Sequence, residues 1–366
     1  MKNYEVSLKP LTPIHIWSGY ESLVGFDIVD FGREICIVDF EKLPQELISQ
    51  LASSKPQKWS YILRKYRGSI ECRIRAKKTF TIPLPPGRKV KIPNDEVVPG
   101  STLKGYIRTS ILFWLLRKMP MQQAVNLLKS SINLTVAPKK VATKLEESVF
   151  KEKRVKKAGG LIDILQLLTV SDPLAKYNVV FELLKFVTQE SIGGKLRTIA
   201  ENYVIAFTKG TLLFNLRILK PPTSENITNT PPQLLADIKK FEEILNINVN
   251  EALKEFGCSI LQGEYLRIKN INELREYAEV LSKWFRKYCL TNRNCVIARI
   301  GFMTGHQAKT ILPLIRSLDQ KLYGNILNYL TLYFGKTWDE RTFKLVDYLG
   351  KKLGVGWCEI CLKELN

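Results

Sequence analysis

Acidic residues are in short supply in this sequence, with thirty-five Asp and Glu against fifty-six Lys and Arg, a formal net charge of +21. That imbalance argues against a thermophile-type surface of matched Lys and Glu. It also opposes compaction, so a polyanionic partner is expected. Histidine is scarcer still: only His15 and His306 are present. Long apolar runs are missing as well. The longest uninterrupted aliphatic and aromatic stretch, Ile111 to Leu116, falls far short of the roughly 20 residues of a membrane span. The N-terminus has no apolar signal core and carries Glu5 in a short alternating pattern, so neither secretion nor a membrane partner is expected. The seven cysteines are odd in number and scattered, which fits a reducing cytoplasm rather than a disulfide framework. Cys358 and Cys361 form a CxxC in what reads as a strand, where they would point to opposite faces. The spacing of Cys289 and Cys295 does not match it, so neither a zinc site nor any other metal or cofactor is expected.

What is present reads as a folded α+β chain, 45% hydrophobic and 10% aromatic. Tyr4, Val6 and Leu8 alternate with Glu5, Ser7 and Lys9, which predicts a half-buried strand. Further strands are predicted at Glu34 to Asp39 and Glu71 to Lys77. In the latter, Arg73, Arg75 and Lys77 share one face, opposite Cys72, Ile74 and Ala76. That face is either an RNA platform or an ordinary solvated one. Ser101 to Met119 predicts a helix that starts after Pro99 and Gly100 with Ser101 as N-cap. Tyr203 to Phe207 and Thr211 to Ile218 read as strands joined by a tight turn at Thr208, Lys209 and Gly210. The stretch PPTSENITNTPP, residues 221–232, reads as a linker between an N-terminal unit, 1–220, and a more helical C-terminal unit, 233–366. In the latter, Leu274, Tyr277, Leu281, Trp284 and Tyr288 recur at helical spacing behind Asn272, and strands are predicted at Cys295 to Ile300 and Val355 to Leu362.

Three segments carry chemistry. In VPGSTLKGYIR, Ser101, Lys104 and Arg108 fall in one sector of the helix beside an N-terminus that attracts anions. Gly105 costs about 1 kcal/mol relative to Ala inside a helix, which implies a close approach to its backbone. RIGFMTGHQAKT places Gly301 and Gly305 after a strand, followed by His306, Lys309 and Thr310, in a pattern that suits a loop wrapping phosphate. Gly354 and Gly356 precede the last strand with the same logic. Glycines of this kind let main chain touch a nucleic-acid backbone without reading bases. Lys139 to Lys157, with eight basic and three acidic residues before Gly159 and Gly160, reads as a basic arm that orders on RNA, or as a solvated loop.

These segments together resemble the RAMP superfamily of CRISPR proteins. VPGSTLKGYIRTSIL is similar to its PGSSLKGAIR-type signature, LTPIHIWSGYE to its TP-x-HIGSG opening, RIGFMTGHQAKTI to its Gly-rich element, and KKLGVGWCEI to its closing strand. LLTVSDPLAKYN and ENYVIAFTKGTLLF also sit where the family has similar stretches. The order of the four is most similar to the fifth subunit of Csm effector complexes (type III-A and III-D). The resemblance implies a ferredoxin-like (RRM-like) core with a second, more helical α+β domain. It implies a non-catalytic, cytoplasmic subunit capping the backbone near the 3′ end of the guide crRNA. The implied partners are crRNA, target RNA and other Csm or RAMP subunits. RNA contact is carried onto Ser101, Lys104, Arg108, Gly301, Gly305, Lys309, Gly354 and Gly356, with His306, Arg73 and Arg75 as further RNA-binding candidates. Trp17 departs from the family's Gly, and Phe302 and Met303 make the Gly-rich loop bulkier.

Rival readings remain at this level. A RAMP endoribonuclease that processes precursor crRNA would use a His as acid or base, here His15 or His306. Another RAMP subunit of a type III complex, or a basic scaffold protein, is also open. Asp163 and Asp172 do not read as a converging metal pair. Ser101 and Lys104 formally make an SxxK. Ser171-Asp172-Pro173 and Thr208-Lys209-Gly210 do not complete the SDN and KTG set of serine β-lactamases.

Overall fold

A computed structural model describes residues 2–80, 84–152, 162–163, 166–219, 248–291, 294–335 and 341–365. The expected linker, 221–232, lies outside them, as do the end of the basic arm from 153 onward and its glycines. Strands in chain order are β1 Lys2–Pro10, β2 Trp17–Leu23, β3 Ile28–Asp30, β4 Glu34–Val38, β5 Cys72–Lys78 and β6 Lys89–Pro93. Next come β7 Lys151–Glu152, β8 Ile162–Asp163, β9 Leu168–Val170, β10 Ala175–Ile192 and β11 Lys195–Ile218. The C-terminal part adds β12 Cys295–Arg299, β13 Thr342–Tyr348, β14 Lys351–Gly354 and β15 Trp357–Leu365. The helices are α1 Gln45–Ser53, α2 Trp59–Lys65, α3 Gly100–Lys118, α4 Met121–Ser131 and α5 Thr143–Phe150, then α6 Val249–Ile268, α7 Arg275–Trp284, α8 Leu312–Leu318 and α9 Gln320–Phe334.

The centre of the sheet runs β15-β1-β11-β10, and each neighbouring pair is antiparallel. With α3 between β1 and β10, and α6 between β11 and β15, this is the β-α-β-β-α-β order of a ferredoxin-like core. The expected α+β class is what the chain adopts; among the described residues, five of the helices lie in 1–220 and four in 233–366. β12 extends the sheet beyond β15, and β5-β4-β3 extend it beyond β10. Strands from residues 1–220 and 233–366 therefore share one sheet.

Helix α3 packs on α6 through Tyr106 and Phe113, whose rings lie 5.3 and 5.4 Å from that of Phe256. Leu103, Ile107, Ile111 and Leu116 continue the buried face, each such side chain contributing about 1.5–3 kcal/mol. The later turns bury Ile111, Leu112 and Phe113 in succession, as the all-round apolar pattern predicts.

Local expectations fail where tertiary contacts take over. Ser101 is not the cap of α3: Pro99 holds the N-cap position, and the carboxylate of Asp172 accepts from the Gly100 backbone N–H at 2.8 Å. Asn272 starts a single 3-10 turn and not α7. Residues 203–218 are not two strands around a turn but part of the 24-residue β11. Gly210, at φ +123°, lies opposite a bulge of β10 at Asn178 and Val179, and a Cβ on it would lie 2.7 Å from the Tyr177 carbonyl oxygen. Within the basic arm, residues 143–150 form α5, anchored by buried Leu145 and Phe150.

The cysteines also depart from expectation. Three disulfides join Cys36 to Cys72, Cys258 to Cys289 and Cys295 to Cys361. Cys295 and Cys361 are register partners on β12 and β15, a proximity that spacing along the chain does not reveal. Cys358, on the opposite face of β15, is a buried free thiol whose pKa burial pushes up. Among the described residues, the one cluster of metal-ligand types is Cys295, Glu359 and Cys361. Its two sulfurs are bonded to each other, and Glu359 already accepts from Tyr288 and Lys287. No described helix is long and apolar enough to cross a membrane.

Candidate nucleic-acid interface

Three of the four segments singled out in the sequence meet at one groove of about 540 Å³. Helix α3 supplies Thr102, Gly105 and Arg108, the loop after β12 supplies Gly301, Phe302 and Lys309, and the approach to β2 supplies Ile16 and Trp17. Gly105 is exposed, and among the described residues nothing beyond its own helix turn lies within 4 Å of the place a Cβ would take. The close approach expected at this glycine is not made by the described residues. Its missing side chain widens the groove instead.

The Gly-rich loop is held by main-chain bonds. The Phe302 N–H donates to the His15 carbonyl at 2.7 Å, the Ile300 N–H to Gly356 at 2.8 Å, and the Gly356 N–H to Pro13 at 2.9 Å. Gly301, at φ +101°, adopts a backbone that other residues avoid, and a Cβ there would sit 2.7 Å from the His15 oxygen. The fourth segment therefore braces the other two from beneath. Gly356 and Gly354 are buried: a Cβ on Gly356 would run into Ile300 and Thr304, and one on Gly354 into Tyr277. The expectation of RNA contact at Gly354 and Gly356 is corrected accordingly, because close packing of the chain on itself explains both glycines.

The remaining candidates are distributed as follows. Arg108 lines the groove and pairs with Glu146 of α5 at 2.9 Å, the one acidic side chain among the lining residues. Lys309 lines the opposite wall. The residue reaches the surface, though desolvation of its ammonium by the surrounding chain lowers its pKa. Ser101 is exposed and Lys104 half-buried on the same helix, outside the groove lining. Gly305 and His306 turn to the other side of the loop, at a cavity of about 50 Å³ shared with Glu264, Arg267 and Arg299. Arg73 and Arg75 stand on the exposed face of β5, as predicted. Arg73 is held by Asp95 at 2.6 Å and Arg75 by Glu34 at 3.3 Å, and neither lines the groove.

Sequence reasoning missed what supports this loop. Arg299 is buried, pairs with Glu264 at 3.0 Å, donates from Nε to the Val355 carbonyl at 3.0 Å, and lies over the Trp357 ring at 5.1 Å. Burial pushes the Glu264 carboxyl up, but the charges of Arg299 and Arg267 outweigh that and hold it below its ordinary value. Trp357 Nε1 donates to Tyr277 Oη at 2.7 Å. The arginine that opens the Gly-rich segment is thus a strut joining β12, α6 and the β14–β15 turn. Lys91 was also missed. It stands over the Trp17 ring at 4.0 Å, and its alternation with Val90 and Ile92 in β6 was the available signal.

His15 is 1% exposed, donates through Nδ1–H to the Ile205 carbonyl oxygen at 2.8 Å, and packs edge-on against Phe302. Burial, with a contribution from nearby Lys91, lowers its pKa to about 4. It is a packed neutral imidazole at ordinary pH.

Comparison with known proteins agrees with this architecture. A chain from a cryo-EM structure of a Csm–crRNA–target RNA ternary complex of a type III-A CRISPR-Cas system superposes with a TM-score of 0.61 at 19% identity, covering 99% of this chain and 100% of that one. The crystal structure of T. onnurineus Csm5 gives 0.58 at 17% identity, covering 96% and 99%. No curated protein matches the sequence. The profile of the RAMP superfamily matches residues 7–306, and on that match the chain belongs to the RAMP superfamily.

Proposed function

We propose that this chain is a non-catalytic RNA-binding subunit of a type III CRISPR-Cas (Csm) effector ribonucleoprotein, and that it caps the backbone near the 3′ end of the guide crRNA. The observation that carries this reading is the single groove in which Gly105 and Arg108 of α3 face Gly301 and Lys309 of the Gly-rich loop. It offers cations, hydroxyls and space to a sugar–phosphate strand, and its few polar groups suit positioning more than base readout. Two further facts support it: the +21 charge, and the end-to-end likeness to a chain of a Csm–crRNA–target RNA complex and to Csm5. The endoribonuclease alternative draws little support from its two histidines, since His15 is buried and His306 borders a different cavity from the groove.

Purified protein is expected to bind single-stranded RNA with little sequence preference and with affinity that falls steeply with salt. Changing Arg108→Glu and Lys309→Glu together removes most of that affinity at about 0.1 M salt and lowers the salt slope by roughly 1.4 for two lost phosphate contacts. Unchanged binding in the double variant rules out the groove. For the assembly, a tagged chain is expected to co-purify crRNA and other RAMP subunits, and its omission to alter the 3′ end of the recovered guide. Recovery of the protein free of both refutes the subunit reading. His15→Ala and His306→Ala are expected to leave guide processing intact, and loss of cleavage in either favours the ribonuclease.

A further inference from the structure

The rim of the groove carries an aromatic feature that phosphate binding does not use. Trp17 is 42% exposed at the start of β2 and lines the groove. Its Nε1 donates to the Tyr20 carbonyl at 2.9 Å, which fixes the orientation of the indole. The Phe302 ring lies 6.0 Å away, tilted by 55°, and both residues line the same wall. The Lys91 ammonium stands 4.0 Å from the indole centroid and 5.4 Å from that of Phe302, tethered by Glu21 at 2.7 Å. An exposed, tethered ring therefore lines the same groove as Arg108 and Lys309.

We infer that Trp17, with Phe302 at its edge and Lys91 over its ring, forms a stacking subsite for one unpaired nucleobase of the bound strand. This rests on the reading of the groove as an RNA-backbone site. Stacking needs a flat apolar surface that costs little to order, which the tethered indole provides. The ammonium covers part of the ring and withdraws electron density from it, which favours stacking by electron-rich bases. A neighbouring protein side chain would also fit a flat ring, but the two groove cations favour a polyanion's base. Stacking uses the ring face and not the base edge, so the subsite recognises the presence of a base more than its identity.

The test uses the full chain and single-stranded 12-nucleotide adenylate RNA, intact or with one abasic position moved along it. Trp17→Ala is expected to weaken binding of the intact strand about 5- to 100-fold, in line with one lost stacked base. Trp17→Phe restores it to within a few-fold. One abasic position costs the parent protein a similar factor and leaves Trp17→Ala unaffected. RNA quenches indole emission in the parent and less in Trp17→Phe. Three outcomes overturn the inference: Trp17→Ala binds as the parent does, it loses affinity equally for intact and fully abasic strands, or it keeps its RNA affinity and instead loses a protein subunit from the assembly. If Arg108→Glu with Lys309→Glu still abolishes binding in those cases, the groove stands and only the stacking subsite falls. If the charge reversals are silent too, both readings fail.

Discussion

Glu146 is the acid inside the groove, and its replacement by Gln provides the sharpest check on the groove's electrostatics. Its carboxylate lies 2.9 Å from Arg108, with the two side chains 41% and 26% exposed. Bound RNA would place a phosphate on the same arginine. At about 7 Å and an effective dielectric of roughly 40–80, the carboxylate repels that phosphate by about 0.6–1.2 kcal/mol. Against this, a half-exposed ion pair holds Arg108 in position with only about 0.2–1 kcal/mol. The midpoints leave a net gain of about 0.3 kcal/mol: Glu146→Gln tightens RNA binding roughly 2-fold at 50 mM salt. The gain fades above about 0.2 M as screening shortens the reach of the charge. Fluorescence anisotropy with a labelled single strand across a salt series reads both effects. Urea unfolding should differ from the parent by less than about 1 kcal/mol, which separates the effect from stability. Binding that is unchanged or weaker at low salt refutes the placement of a phosphate beside Arg108.

Three further expectations concern the scaffold. Asp172→Ala removes the acceptor for the Gly100 N–H and is expected to cost about 1 kcal/mol in urea unfolding, whereas Asp172→Asn keeps an acceptor oxygen and most of the stability; equal losses in both refute the capping role. Glu264→Ala strands the buried Arg299 guanidinium and is expected to cost about 3–5 kcal/mol, with a loss under 1 kcal/mol refuting the strut. His15 titrates near 4 in the folded chain against about 6.5 when unfolded, so its contribution is intact above pH 6.5 and declines as the pH falls toward 4. That decline amounts to roughly 3 kcal/mol, and His15→Gln is expected to remove this part of the acid sensitivity; an unchanged pH–stability profile in the variant refutes it.

The sequence by itself determined the charge imbalance that points to a polyanionic partner, and most of the elements. The excess of Lys and Arg is a sum over residues, so it needs no coordinates. The alternation in Tyr4 to Leu8 and the start of α3 after Pro99 and Gly100 are local periodicities with local causes. The four motifs identified the superfamily for the same reason, since their order is written along the chain. What only the tertiary structure decided is which of those residues face solvent and which face each other. Gly301 and Gly356 look alike as glycines in loops. One lines the groove, and the other is buried where a side chain would strike Ile300 and Thr304. Arg299 and Arg108 both read as basic residues near glycine and both line the groove, yet one is a buried strut paired with Glu264 and the other is partly exposed beside Glu146. The cap of α3 came from Asp172, and the partner of Cys361 was Cys295 across a strand pair, both dozens of residues away. Burial and pairing depend on contacts between segments distant in sequence, and no window of local pattern contains them.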